Sequence, residues 1–192
     1  SNKLVANKNI TQIIEITDGY DKQRRLEQLV QQHQIGPGNL AIVFVSTKRM
    51  ADQLCRGRFH CPANAIHGDK SQGERDYAMA MFKRGQCPIL IATDVAARGL
   101  DVKEIRLVVN YDFPQGLEDY IHRIGRTGRV EMTGTAVSFF TPNDGKYAKP
   151  LVAILRDAGQ NVPPELEQMA SNPFSSMKGG RRRGGGGGGG GG

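Results

Sequence analysis

The densest chemistry in the sequence is one string, His122-Arg123-Ile124-Gly125-Arg126-Thr127-Gly128-Arg129. Its arginines recur at every third residue, so at a helix end they project from neighbouring positions. Crowding them there is unfavourable by mutual repulsion unless an anion arrives. A guanidinium is planar, permanently charged and donates in pairs, which suits a phosphate. The glycines let the backbone turn and approach a ligand closely. The string therefore reads as a phosphate clamp whose arginines could stabilise charge in phosphoryl transfer. A solvated basic helix end, favoured by the helix dipole, is the plainer alternative.

Two further strings carry weaker signals. Ala92-Thr93-Asp94-Val95-Ala96-Ala97-Arg98-Gly99-Leu100-Asp101 begins where an apolar run ends. Thr93 could donate to a nucleic-acid phosphate, and Asp101 could accept from a ribose hydroxyl. A helix cap at Thr93 or Asp94 with a stop at Gly99 is the alternative. In His67-Gly68-Asp69-Lys70-Ser71-Gln72-Gly73-Glu74-Arg75, a first helical turn offers its backbone amides to a phosphate. Gln72 and Arg75 lie on adjacent sides of that turn; simple capping with solvated charges is the alternative. His33 and His60 read as structural or solvated. No Asp, Glu and His stand at ligand spacing, so no protein-built metal site is expected. The sequence also lacks G-x-x-x-x-G-K-[ST] and any Asp-Glu dipeptide. It offers arginines for a nucleotide and no cradle for it, which is half of an ATPase.

Regular elements must position these strings. Gln12 to Ile16 reads as a strand, and Tyr20 to Gln34 as a helix with Leu26, Leu29, Val30 and His33 on one stripe. Leu40 to Val45 is a continuous apolar run, as in a strand buried on both faces. Ser46 or Thr47 caps a helix to about Leu54. Ala63 to Ile66 is a short strand, and Ser71 to Glu74 is a capping box opening a helix to about Lys83. Strands follow at 89–92, 106–110 and 135–140, with helices from Leu117 to about Gly125, around Tyr147 to Leu155, and from Glu165 to Ala170. Such alternation predicts an α/β fold, a largely parallel sheet with helices on both faces. In such sheets ligands sit at the carboxyl ends of the strands, where the loops at 46–49, 67–70, 93–94 and 110–112 fall.

Composition separates the chain into two parts. Of 192 residues and 25 glycines, eleven glycines and three arginines fill Gly179 to Gly192. The net charge of +7 drops to +4 without that tail. Residues 1–170 are expected to form one domain and 171–192 a disordered Gly/Arg-rich tail, a flexible RNA tether. No apolar run approaches the roughly 20 residues that span a bilayer, so no membrane partner is expected. The Ser1-Asn2-Lys3 start suggests a cut at an interdomain boundary. Cys55, Cys61 and Cys87 form no C-x-x-C pair and fit a reducing compartment.

Together these residues resemble the second, C-terminal RecA-like lobe of a DEAD-box ATP-dependent RNA helicase, over about residues 5 to 170. Ile42 to Lys48 is similar to family motif IV, Gln72 and Arg75 to the Q-x-x-R element, Ile91 to Asp101 to motif V, and His122 to Arg129 to motif VI. The stretch Leu155 to Gln160 before Pro163-Pro164, with the tail, resembles the nuclear subgroup with such tails. Gly73 and Gly116 stand where relatives often carry polar residues.

The resemblance implies a RecA-like three-layer sandwich and specific roles. Arg126 and Arg129 would contact the γ-phosphate of ATP, which with Mg2+ is held mainly by an N-terminal RecA-like lobe in the same full-length chain. Gly99 and Asp101 would lie near the ribose. His122 would act at the catalytic centre, and with Arg123 it would couple the lobes. Thr47, Gln72, Arg75, Thr93 and Arg98 would hold the RNA backbone with little sequence preference. The 192 residues alone are expected to be monomeric and inactive. An intracellular, nuclear rather than cytoplasmic, location is expected. A non-catalytic RNA-binding module and a lobe of a DNA helicase or another two-lobed ATPase are the competing readings.

Overall fold

The computed structural model describes residues 9–94, 96–97, 100–128 and 133–172. Arg98, Gly99, Arg129 and the tail from 173 onward lie outside the described residues. Six strands form one sheet: β1 (Ile10–Ile16), β2 (Leu40–Phe44), β3 (Ala63–Ile66), β4 (Ile89–Ala92), β5 (Ile105–Asn110) and β6 (Gly134–Phe140). Their order is β1-β6-β5-β2-β4-β3 and every pair is parallel. No helix among the described residues is long and apolar enough to cross a membrane.

The two-sided burial explains the apolar runs. In β2, Leu40, Ile42 and Phe44 point into one core while Ala41 and Val43 point into the other. Helices α1 (Lys22–Gln32) and α2 (Lys48–Leu54) cover the second core through Leu26, Leu29, Val30, Ala51 and Leu54. Helices α3 (Gln72–Lys83), α4 (Leu117–Ile124), α5 (Ala148–Asp157) and α6 (Pro164–Ser171) cover the first. Each fully buried Leu, Ile or Phe contributes roughly 1.5–3 kcal/mol of transfer free energy. Chain order runs from β2 outward to β3, while β5 and β6 lie on the other side. That reversal opens a crevice at the carboxyl ends of β2, β4 and β5.

Local signals set the helix starts. Thr47, rather than Ser46, caps α2: its Oγ1 accepts the Met50 N–H at 3.1 Å. Ser71 and Glu74 form the expected capping box, with both bonds at 3.1 Å. The first helix starts later than its apolar stripe suggested. Asp18 accepts the Tyr20 N–H, Gly19 has φ +99, and Tyr20 stays exposed outside the helix. A 3-10 turn at Pro142–Tyr147, capped by Thr141 and Asp144, precedes α5 where only a connection was expected.

The sheet edge at β1 is closed by a side chain. The Gln160 carboxamide accepts the Gln12 N–H at 2.9 Å and donates to the Ile10 carbonyl at 3.0 Å. It stands where the peptide group of another strand would stand. The three thiols are free, and burial raises the pKa of each, that of Cys55 to about 11. They are poor nucleophiles in this setting.

Tight contacts anchor the end of the arginine string. Thr127 is buried and its Oγ1 donates to the Ile105 carbonyl at 2.5 Å. A Cβ on Gly134 would lie 1.9 Å from that oxygen, so only glycine fits. Gly134→Ala should cost about 2 kcal/mol by forcing Thr127 away. Gly116→Ala, with nothing within 4 Å of the added carbon, should cost only about 0.5 kcal/mol or less. Denaturant unfolding of the two variants checks the contrast; equal losses would refute it.

Candidate functional site

Helix α4 carries the start of the arginine string and ends at Ile124, before Arg126. Glu118 and Asp119 in its first turn and His122 and Arg123 in its last complement the helix dipole. Tyr120, Arg123 and Ile124 form the buried stripe. The Tyr120 hydroxyl donates to Gln12 at 2.6 Å, and burial raises its pKa far above the usual phenol. Asp119 and His122 stay exposed, and Arg126 lies two residues past the helix end. With Phe44, Asp94, Ala97 and Arg123 they line a cleft of about 440 Å³. Backbone carbonyls set the Arg126 side chain: Nε donates to His122 at 3.1 Å and one terminal nitrogen to Leu100 at 2.5 Å. These two bonds hold the guanidinium beside His122 at the cleft, and a planar, paired donor of this kind suits a phosphate.

Arg123 behaves differently. Its side chain is only 7% exposed. Nε and a terminal nitrogen each donate to one Asp94 oxygen at 2.6 Å, a bidentate pair. The other terminal nitrogen donates to Asn110 Oδ1 at 2.9 Å and to the Asp112 carbonyl at 3.2 Å. Asn110 in turn donates to Ser138 Oγ at 2.9 Å, and the guanidinium lies 4.9 Å from the Phe44 ring centroid. Four of the five N–H donors of Arg123 are thus engaged inside this lobe. The signal was in the sequence, because Tyr120, Arg123 and Ile124 share one helical stripe. Arg126 falls outside that stripe.

A second group of polar residues sits on the strand rim. Thr47 is exposed at the start of α2, and Gln72 and Arg75 stand on the first turn of α3. Gln72 donates to Asp76 at 2.9 Å. Arg75 reaches the Gly68 carbonyl at 3.5 Å, and its Nε is buried without a partner. Thr93 ends β4, with its N–H on the Ile66 carbonyl at 3.2 Å. The structure thus brings Thr47, Gln72, Arg75 and Thr93 to one end of the sheet and separates them from Arg126. Asp101 is exposed. A larger rim cleft of about 1120 Å³ extends past β5 and β6 toward β1. Its carboxylates are engaged within the lobe: Asp112 with Ser46 and Lys22, Asp144 with Thr141. It suits a phosphate less well than the α4 face.

Sequence reasoning gave no role to Asp119, Phe44 or Asn110, all of which take part in these arrangements. Among the described residues, no group of three or more His, Cys, Asp or Glu could hold a metal ion. The rim carboxylates are tuned by their partners. His67 holds Asp52 below its ordinary pKa, Lys48 does so for Asp69, and the Ser71 backbone N–H does so for Glu74.

Residues 21–131 match the family described as the helicase conserved C-terminal domain, and the chain belongs to that family. Within it, the chain is a C-terminal RecA-like lobe of the DEAD-box type. It is 56% identical over 170 residues to the ATP-dependent RNA helicase-like protein DB10 of Nicotiana sylvestris, covering 88% of this chain and 28% of that protein. It is 57% identical to DEAD-box ATP-dependent RNA helicase 14 of Arabidopsis thaliana, covering 88% of this chain and 27% of that one. The chain therefore spans less than a third of either relative. The yeast DEAD-box splicing factor Prp28 matches it with a TM-score of 0.77 and 33% identity, over 86% of this chain and 37% of that one. Dbp5 of S. cerevisiae, bound to RNA and ADP BeF3, matches with a TM-score of 0.67 and 30% identity, over 86% and 46% respectively.

Two outcomes follow from the geometry. Asp94→Ala leaves the buried Arg123 without its bidentate acceptor and should cost about 2–3 kcal/mol in denaturant unfolding. That is the low end for a buried pair, because Asp94 is half exposed. Asp119→Ala, on the exposed face, is the control, and an equal cost there would refute the assignment. The pKa values of Asp52, Asp69 and Glu74 are lower in the folded state than in the unfolded chain. The stability they add is complete above about pH 5 and lost as pH falls through their folded values. Thermal midpoints should therefore drop below about pH 5, and Asp69→Asn should reduce the drop; an unaltered acid limb in Asp69→Asn would count against the Lys48 pairing.

Proposed function

We propose that this chain completes, rather than holds, the ATP site of an RNA-stimulated ATPase that unwinds short RNA duplexes. The observation that carries this is the placement of Arg126 beside His122 in one cleft just past the end of α4, in a chain with no phosphate-cradling loop. In the full-length protein an N-terminal RecA-like lobe holds ATP and Mg2+. The α4 face fits the outer phosphate oxygens, since guanidinium and imidazole donors line it. It does not fit the metal, for which the described residues offer no ligand set. Mg2+ bound with the nucleotide supplies charge neutralisation at the phosphates.

In this reading Arg126 and Arg129 stabilise charge on the γ-phosphate oxygens as water displaces ADP. Asp101 and Gly99 lie toward the ribose. His122 faces the other lobe, and Arg123 supports that face through Asp94. Thr47, Gln72, Arg75, Thr93 and Arg98 hold the RNA sugar-phosphate backbone, which positions a strand without reading its bases. The match to Dbp5, whose structure contains RNA and ADP BeF3, supports a lobe of this kind. The 192 residues alone are monomeric and inactive. Nuclear location and RNA tethering by Gly179 to Gly192 extend the same reading.

A non-catalytic RNA-binding module is the second reading. It explains the rim but leaves the separate α4 face without a role. The discriminating experiment uses the full-length, two-lobed protein. Arg126→Ala should lower kcat about 10³-fold while RNA affinity stays within about twofold. Near-normal turnover with impaired RNA binding would favour the module.

A further inference from the structure

His67 is a buried polar residue with no task in the site described above. It follows the last residue of β3 and is 3% exposed. Its ring joins two elements. Nε2 lies 3.0 Å from Asp52 Oδ1 on α2, and Nδ1 accepts the Asp69 N–H at 3.2 Å. An accepting Nδ1 leaves the proton on Nε2, which donates to Asp52. The His67 carbonyl accepts the Lys70 N–H at 3.1 Å and closes the turn 67–70.

The groups assigned to RNA converge on this turn. The Asp69 carboxylate takes Lys48 Nζ at 2.7 Å, one residue from Thr47. The Gly68 carbonyl meets Arg75. The residue before His67, Ile66, accepts the Thr93 N–H. Three elements from distant parts of the sequence are thus referenced to one ring. An apolar residue of similar size would fill the same space but leave the Asp69 N–H without its acceptor and Asp52 with only Lys70, at 3.7 Å.

We propose that His67 is a positioning residue for RNA, fixing the turn that sets the spacing of Thr47, Arg75 and Thr93 along the strand. The proposal rests on the RNA-grip reading above. Its test is RNA-stimulated ATPase activity of the full-length two-lobed protein, titrated with single-stranded RNA at constant salt. His67→Asn keeps an acceptor near the Nδ1 position but cannot reach Asp52. His67→Gln keeps a donor near the Nε2 position but not the Nδ1 acceptor. Each should raise KM for RNA about fivefold while kcat at saturating RNA falls less than about twofold. Asp52→Asn, at a half-exposed site, should raise KM about threefold and add nothing further in the His67→Asn background.

Thermal melts identify the folded variants, and Asp52→Asn decides the matter if neither His67 variant folds. An unchanged KM in the folded variants, a loss confined to kcat, or additive effects in the double variant would overturn the proposal. Arg75→Ala in the same assay separates the two levels. If it leaves KM unchanged, the RNA grip itself falls and the proposal with it. If it raises KM while the folded His67 and Asp52 variants do not, only the positioning role of His67 falls.

Discussion

The bidentate pair between Arg123 and Asp94 is the contact on which the rest of the site depends. It ties α4 to the end of β4, and through Asn110 and Ser138 to β5 and β6. Burying a guanidinium is costly unless its donors are met, and here carboxylate, amide and backbone carbonyl meet four of the five. The outcome is orientation. With Arg123 locked inward, the helical phase of α4 is set, and Asp119 and His122 stay exposed.

That arrangement divides the lobe's cationic chemistry between two surfaces. The rim at the ends of β2, β3 and β4 presents short donors and helix starts. The cleft beside α4 presents the His122 imidazole and the Arg126 guanidinium. The two surfaces meet at Asp94 and Phe44, which touch both the Arg123 network and the α4 cleft. Movement of the rim under an RNA strand therefore has a short mechanical route to α4. The route consists of charged hydrogen bonds, which are directional and resist small displacements.

Much of this was legible in the sequence, and what was not has a common cause. The continuous runs at Leu40 and Ile89 announced strands buried on both faces. The Ser71 capping box marked the start of α3, and Thr47 capped α2 as one of two named candidates. These signals are local. Arg123 and Arg126 look alike in the string, and only the stripe with Tyr120 and Ile124 separates them. The turn at Pro142–Tyr147 was missed because its helical character lies in a single cap rather than an apolar repeat. The His67 contact with Asp52 spans 15 residues and leaves no periodic trace. Side-chain bridges between elements depend on packing that periodicity does not encode.

Gln160 belongs to the same kind of long-range contact, and its consequence lies outside the site. A parallel sheet ending in a free strand offers a template on which another copy can add, one strand after another. Here a single carboxamide, 148 residues away in sequence from the backbone it meets, occupies part of that template. At the β1 edge, addition of a further strand would first have to displace that carboxamide from Gln12 and Ile10.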